Sequence, residues 1–203
     1  MLQTQTVVPD LLELLKKIMD EPLFKNFNLV GGTSLALQIG HRNSIDIDLF
    51  GNSEINSDLF IEKLSKFGEL KVVQSTKNIL ITKINEVKVD FVNYKYPLLS
   101  QILFVENIRM LSTKDIAAMK LNAIAGRGSK KDFIDLYFLL NEFTLQEILN
   151  FYLQKYDDGS SFMVQKSLSY FLDADDQLSP KMYLDFNWET CKQKIIEEVL
   201  KLE

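Results

Sequence analysis

The chain has 203 residues, of which 46% are hydrophobic and 25% are charged, with a net charge of −5. That balance is typical of a chain with a substantial core, organised in one or two small domains. The negative charge argues against a generally basic nucleic-acid-binding surface, but it is compatible with a local basic cleft. The single cysteine, Cys191, excludes an internal disulfide framework and fits a reducing compartment.

Two kinds of targeting segment are absent from the sequence pattern. The N-terminal residues lack the charged-then-apolar order of a signal peptide. No apolar run approaches the roughly 18 residues that a membrane-spanning helix needs. We therefore expect a cytoplasmic protein without a membrane partner.

The N-terminal half alternates between helical and strand periodicity. Apolar spacing predicts helices over 9–19, 33–39 and 57–67, and strands over 27–30, 45–50, 70–74, 79–84 and 87–92. Asp10 and Ser57 are the predicted N-caps of the first and third helices, and Ser112 with Asp115 three residues later is a predicted capping arrangement of a later helix. Residues 85–86 join two strands so closely that we expect a tight hairpin turn.

The predicted strand over 45–50 carries two acids in strict alternation with apolar residues. Successive side chains of a strand point to opposite faces, so Asp46 and Asp48 share one face. Their carboxylates lie roughly 7 Å apart along the strand and repel each other. A divalent cation relieves that repulsion, and hard oxygen ligands suit Mg²⁺ or Mn²⁺.

A glycine turn precedes this strand. Gly31 and Gly32 let the backbone approach a ligand closely. Thr33 and Ser34 follow at the start of a predicted helix, whose first N–H groups can hold a phosphate. A phosphate-binding turn next to two metal-binding carboxylates predicts a site for a nucleoside triphosphate.

The whole segment from Gly31 to Phe50 (GGTSLALQIGHRNSIDIDLF) resembles the AbiEii/AbiGii toxin family of nucleotidyltransferases. That family lies in the superfamily related to DNA polymerase beta, and the resemblance covers roughly residues 25–140. It implies metal-dependent transfer of a nucleoside monophosphate from an NTP to an acceptor. RNA such as tRNA is the first acceptor it implies and protein the second. It also implies the toxin of a toxin–antitoxin or phage-defence system, with a cognate antitoxin as a partner.

A third acid lies on the strand predicted over 87–92. Asp90 points away from Val89 and Phe91, and it can join Asp46 and Asp48 if the two strands are neighbours. The resemblance implies that such a carboxylate completes the metal site and helps to deprotonate the attacking hydroxyl. The alternative is an ordinary surface acid of a strand.

The second half of the chain is helical. Residues 97–110 are apolar and irregular, and helices are predicted from Ser112 to about Gly126 and over 144–155, 161–172 and 189–202. Phe162 and Leu172 are predicted core residues. The expected fold is α+β. A catalytic lobe over 1–110 has a mixed sheet with flanking helices, and a helical lobe over 111–203 completes the nucleotide cleft.

The resemblance also implies roles for a lysine and an acidic segment of the helical half. Lys120 matches the lysine that contacts the triphosphate, and Asp132 and Asp135 match the acidic segment without a choice between them. Arg42 either meets a phosphate or forms a structural salt bridge. Lys130 and Lys131 are interpreted as an ordinary exposed basic turn.

The predicted site residues fall into three overlapping groups. The catalytic residues are Asp46, Asp48, Asp90, Lys120, Asp132 and Asp135. The nucleotide-binding residues are Gly31, Gly32, Thr33, Ser34, Arg42 and Lys120, and the metal ligands are Asp46, Asp48 and Asp90. Two other functions remain open at this point: a small-molecule nucleotidyltransferase of the aminoglycoside-modifying kind, and a non-catalytic relative that binds a nucleotide or a partner.

Overall fold

The computed structural model describes residues 1–202, and its described strands form one mixed sheet of seven. The strands are β1 (Asn28–Leu29), β2 (Asp46–Gly51), β3 (Leu70–Ser75), β4 (Ile79–Ile84), β5 (Val87–Asn93), β6 (Leu103–Val105) and β7 (Ile108–Met110). Their order across the sheet is β3-β4-β5-β2-β1-β7-β6. β2 runs parallel to β5, and β1 runs parallel to β7, while the other neighbours are antiparallel.

Helices flank the sheet and make up the rest of the chain. They are α1 (Pro9–Asp20), α2 (Gly31–Ile39), α3 (Ser57–Leu64), α4 (Thr113–Gly126), α5 (Lys130–Leu139), α6 (Leu145–Lys155), α7 (Ser161–Leu168), α8 (Leu172–Asp175) and α9 (Trp188–Leu200). Short 3-10 turns cover Thr4–Thr6 and Pro22–Phe24. The α+β fold is confirmed. None of these described helices is long and apolar enough to cross a bilayer.

The chain divides into two compact units. The first comprises Met1–Tyr96 and Ile102–Leu111, and the second comprises Pro97–Gln101 and the chain from Ser112 onward. Residues 97–101 belong to the second unit because their backbone groups form hydrogen bonds with side chains of that unit. Asp115 accepts hydrogen bonds from the N–H groups of Leu99 (2.9 Å) and Ser100 (3.2 Å). The ammonium of Lys155 donates to the carbonyl of Pro97 (2.7 Å).

An aromatic cluster fills the core of the first unit. Phe24, Phe27, Phe60 and Phe91 are buried, and their ring centroids lie between 4.8 and 5.6 Å apart. Edge-on and tilted contacts of this kind add to the stabilisation that comes from burying apolar area. Phe91 comes from β5, so this cluster fixes the strand that carries Asp90.

The N-caps of two helices differ from the prediction, and α2 begins at Gly31, two residues before its predicted start. The N-cap of α1 is Val8, which is extended and makes no side-chain cap bond, and Pro9 supplies the first helical residue. Asp10 therefore lies inside the first turn, where its negative charge interacts favourably with the positive end of the helix dipole. α3 is capped by Asn56, whose side chain accepts from the N–H of Leu59 (3.2 Å), and Ser57 is its first residue.

The predicted hairpin turn is confirmed, and a second hairpin was missed. Asn85 and Glu86 both have positive φ (46° and 66°), as a two-residue type I′ turn requires. Residues 103–110, predicted to be irregular, form β6 and β7 with the same geometry at Glu106 and Asn107 (φ 51° and 64°). β6 and β7 have three residues each, too few for alternation of apolar and polar side chains to indicate a strand.

The second unit is built around α4, which packs against α5, α6 and α7. Ser112 caps α4 and accepts from the N–H of Asp115, as predicted. The helix predicted over 161–172 ends at Leu168, and α8 begins after a turn. Val164 and Leu168 are the buried residues of α7. Phe162 of α7 (71% exposed) and Leu172 of α8 (68% exposed) are not core residues, contrary to the prediction.

Candidate active site

Alternation along β2 places its two acids on one face of the sheet. Ile47 and Leu49 are completely buried, whereas Asp46 and Asp48, which alternate with them, are partly exposed. The buried residues hold the strand in register, because a shift of one residue would move both carboxylates into the core. The side chains of Asp46 and Asp48 are therefore held on the face of the sheet opposite to Ile47 and Leu49.

The third acid lies on the neighbouring strand, directly beside Asp48. β2 and β5 are parallel, and their register pairs Asp48 with Asp90 and Asp46 with Lys88. Paired residues of adjacent strands point to the same face. The sheet thus brings Asp46, Asp48 and Asp90 to one face and adds a lysine that the sequence analysis had not selected.

Lys88 forms an ion pair with Asp90 on this face. Its ammonium bonds to Oδ2 of Asp90, and the side chains are 40% and 14% exposed. Burial by itself would lower the pKa of Lys88. The hydrogen bond to Asp90, with the charges of Asp90, Asp48 and Asp46, outweighs burial and raises that pKa. Lys88 is therefore a cation in the field of all three carboxylates.

The three carboxylates are candidate ligands for a divalent cation. Within residues 1–202, no three His, Cys, Asp or Glu side chains are grouped closely enough to hold an ion as they are placed. The donor set nevertheless fits, because three carboxylates on two paired strands are the oxygen ligands that Mg²⁺ and Mn²⁺ prefer. Oδ1 of Asp90 is also buried without a hydrogen-bond partner among the described residues, which leaves a lone pair for a ligand.

The glycine turn lies against one of these carboxylates. Gly31 has a φ of +67°, and a Cβ at that position would lie 2.7 Å from Oδ2 of Asp48. A Cβ on Gly32 would collide with the guanidinium of Arg42 and approach Oγ of Ser44 at 3.4 Å. A Cβ at either position would displace the end of the Asp48 or Arg42 side chain, and the start of α2 therefore adjoins the carboxylate of Asp48.

The two hydroxyl residues after the glycines are buried. The hydroxyl of Thr33 donates to the carbonyl of Asp46 and lies 2.8 Å from Oγ of Ser44. Ser34 accepts a hydrogen bond from the amide of Gln38 (3.1 Å). The bond from Thr33 to Asp46 attaches α2 to the strand that carries the acids, whereas the bond between Gln38 and Ser34 lies within α2. The first N–H groups of a helix have no acceptor within it, so the backbone at Gly31 and Gly32 is what α2 offers to a phosphate.

Arg42 is buried rather than exposed. It is 3% exposed, and its guanidinium donates to the carbonyl of Asn43 (2.8 Å) while it covers Gly32. Its positive charge therefore lies beside the glycine turn, where it adds to the attraction for an anion. The neighbouring His41 is also fully buried.

Replacing Gly31 by alanine should destabilise the first unit by about 1–2 kcal/mol, because a left-handed backbone disfavours a Cβ. The new methyl group would also push against the carboxylate of Asp48. Gly126→Ala is the matched control, since nothing lies within 4 Å of a Cβ there. Chemical denaturation of both variants measures the difference, and equal free energies of unfolding would contradict the role given to Gly31.

The predicted residues of the helical half form a buried charge cluster within the second unit. The ammonium of Lys120 lies 3.0 Å from Oδ1 of Asp132 and 2.6 Å from Oδ2 of Asp135. Arg127 and Ser129 bond to Asp132 as well, at 2.8 and 2.6 Å. Both aspartates are completely buried, and Lys120 is 5% exposed. The cluster joins α4 to α5.

Charge pairing dominates the titration of Asp132. Burial alone would raise its pKa, but Lys120, Arg127 and Ser129 outweigh burial and lower it from 3.8 to about 2. A carboxyl with a lowered folded-state pKa stabilises the fold above its unfolded pKa and loses that contribution as the pH falls. We expect about 2 kcal/mol of stability to disappear between pH 4 and pH 2. The free energy of unfolding should be measured for the protein and for Asp132→Asn across this range of pH. It should change less with pH in the variant.

Some of these features escaped the sequence analysis. Lys130, interpreted as exposed, is 6% exposed and donates to the carbonyls of Asp175 (2.9 Å) and Gln177 (2.5 Å). Lys155 and Asp115 form a second buried ion pair of the helical unit, at 2.8 Å. Lys88 could have been found from its spacing, because it lies two residues before Asp90 and shares its face.

Comparison with known proteins identifies the family of this chain. Residues 13–199 match the family described as nucleotidyl transferase AbiEii toxin of type IV toxin–antitoxin systems. The chain belongs to the AbiEii nucleotidyl transferase toxin family. It is also 36% identical over 172 residues to an uncharacterised protein of Aquifex aeolicus, which covers 82% of this chain and 84% of that protein.

Solved structures show the same fold at low sequence identity. JHP933 of Helicobacter pylori superposes with a TM-score of 0.62 at 17% identity, over 95% of this chain and 88% of that one. MenT4, a nucleotidyltransferase toxin of Mycobacterium tuberculosis, gives 0.56 at 15% identity, over 96% and 83%. The antibiotic-resistance factor ANT(2'')-Ia gives 0.53 at 15% identity, over 70% and 89%. The nucleotidyltransferase fold of this AbiEii protein is thereby established.

Proposed function

We propose that this protein is a metal-dependent toxin that transfers a nucleoside monophosphate from an NTP to an acceptor, with release of pyrophosphate. One observation carries the proposal. The carboxylate of Asp48 lies against Gly31, so a metal-binding acid and a phosphate-binding helix start adjoin each other. An α-phosphate bound between them would meet the two groups that nucleotidyl transfer requires.

The residues of the first unit divide the work. The N–H groups at the start of α2, with the charge of Arg42 beside them, hold phosphate oxygens. Asp46, Asp48 and Asp90 would hold Mg²⁺ or Mn²⁺, which when bound neutralises charge on the transferring and leaving phosphates. Oδ1 of Asp90, which is buried and unpartnered among the described residues, accepts the proton of the attacking hydroxyl. The oxygen of the attacking hydroxyl forms a new bond to the α-phosphorus. The bond between the α-phosphorus and the pyrophosphate leaving group breaks.

The roles proposed for the helical unit are less direct. The resemblance gives Lys120 a contact with the triphosphate and gives Asp132 and Asp135 supporting roles. Within their own unit the three side chains bond to one another. Those contacts support a positioning role for both aspartates, which fix the amine of Lys120. Contact of Lys120 with the triphosphate stays a prediction.

RNA such as a tRNA is the acceptor that we propose first, with protein second. This choice rests on the resemblance to toxin nucleotidyltransferases. The description of the family as part of type IV toxin–antitoxin systems supports a cognate antitoxin as the partner. A small-molecule acceptor and a non-catalytic role are the competing functions, and the experiment below separates them.

The test is incubation of the purified protein with each α-labelled NTP, Mg²⁺ and total bacterial RNA, in parallel with Asp48→Ala. We expect label in a tRNA-sized band that the variant does not produce. Label on protein would move the acceptor to protein, and label only on an added aminoglycoside would contradict the toxin function. No transfer to any acceptor, with nucleotide binding intact, would contradict the catalytic proposal.

A further inference from the structure

Lys88 is a charged residue of the candidate site to which the proposed reaction assigns no role. It lies on β5 two residues before Asp90, and it is paired across the sheet with Asp46. Its alkyl chain is long enough for the ammonium to reach the carboxylate of Asp90, with which it forms an ion pair. A lysine there is costly for a metal site, since its charge opposes that of a divalent cation.

The ion pair with Lys88 engages one of the oxygens that a cation at Asp90 would use. One oxygen of Asp90 bonds to Lys88, and the other is buried without a partner among the described residues. In the absence of a divalent cation, three carboxylates on one face repel each other, and a nearby ammonium lowers that repulsion. The lysine thus performs for the metal-free protein the electrostatic task of the ion.

We propose that Lys88 is an internal counter-ion of the carboxylate face, which a divalent cation must displace from Asp90 when it binds. This inference rests on the metal site of the proposed function. The displacement opposes metal binding, so the protein trades metal affinity for stability of the metal-free state. Lys88 is a positioning residue in this scheme, because it acts through Asp90.

The chain offers matched controls for Lys88. Lys83 on β4 is paired with Lys88 across the sheet and lies on the same face, but its ion pair is with Glu86 (3.5 Å). Lys83→Met therefore removes the same charge from the same face without touching the carboxylates. Lys88→Arg keeps the charge and should retain the behaviour of the unaltered protein.

The measurement is Mn²⁺ binding to the full chain by electron paramagnetic resonance, without nucleotide. We expect Lys88→Met to lower the Kd for Mn²⁺ about tenfold or more, because one repelling charge is removed. Lys83→Met and Lys88→Arg should stay within about twofold of the unaltered protein. Asp48→Asn in each background should weaken binding strongly, which assigns the ion to this face.

Thermal unfolding gives an independent readout. Metal-free Lys88→Met should unfold at a lower temperature than metal-free Lys83→Met, and Mn²⁺ should raise its Tm by a larger increment. An unchanged or raised Kd in Lys88→Met would overturn the inference while leaving the metal site intact. Absence of Mn²⁺ binding to every variant would overturn both the inference and the metal site of the proposed function.

Discussion

Asp48→Asn should reduce nucleotidyl transfer by about 10²–10⁴-fold, since a bound metal supplies several kcal/mol to the transition state and each 1.4 kcal/mol is tenfold in rate. Asparagine keeps the size and one oxygen of the side chain but removes its charge. The fold should be retained, because Asp48 is partly exposed and its loss relieves repulsion from Asp46 and Asp90. Initial rates at saturating NTP and Mg²⁺ measure the effect.

Asp58→Asn is the control for that variant. Asp58 is an exposed acid in the first turn of α3, so its substitution changes the net charge equally without affecting the carboxylate face. We expect its rate to stay within about twofold of the unaltered protein. Near-normal transfer by Asp48→Asn, with a normal circular dichroism spectrum, would show that the carboxylates of β2 do not serve the reaction.

Lys120→Met should lower the free energy of unfolding of the second unit by about 3–5 kcal/mol, as removal of one partner from a buried ion pair does. The substitution leaves Asp132 and Asp135 completely buried and without the ammonium that lies 3.0 and 2.6 Å from them. Arg127 and Ser129 continue to bond to Asp132, so they should limit the part of the loss that comes from this carboxylate.

Two further variants isolate the cause of this loss. Lys131→Met removes an exposed lysine one residue into α5 and should change stability by less than about 0.5 kcal/mol. Lys120→Met combined with Asp135→Leu also removes one of the two buried carboxylates that lose the ammonium, so it should recover part of the stability. If Lys120→Met unfolds at the same urea concentration as Lys131→Met, the buried cluster does not stabilise the unit.

The sequence was informative where local periodicity determines structure. The alternation of Asp46, Ile47, Asp48 and Leu49 predicted both the strand and the exposed face, because a period of two leaves a single way to bury the apolar residues. The hairpin at Asn85 and the cap at Ser112 were also predicted, since each depends on residues within one turn. The AbiEii family was identified from the contiguous segment between Gly31 and Phe50.

Contacts between distant segments were beyond such reasoning. The pairing of Asp48 with Asp90 crosses more than forty positions, and periodicity says nothing about which strands are neighbours. Lys130 was interpreted as part of an exposed basic turn, yet it is buried against backbone carbonyls of a distant segment. Lysines are almost never buried without partners, and the partners of Lys130 lie 45 to 47 residues away.

The measurement that tests the account most directly is a crystal structure with Mn²⁺ and a non-hydrolysable NTP, with anomalous scattering used to locate the metal. We expect an anomalous peak coordinated by Asp46 and Asp48, with Asp90 released from Lys88 and a phosphate at the start of α2. A peak elsewhere, or triphosphate bound away from Gly31 and Gly32, would contradict the candidate site.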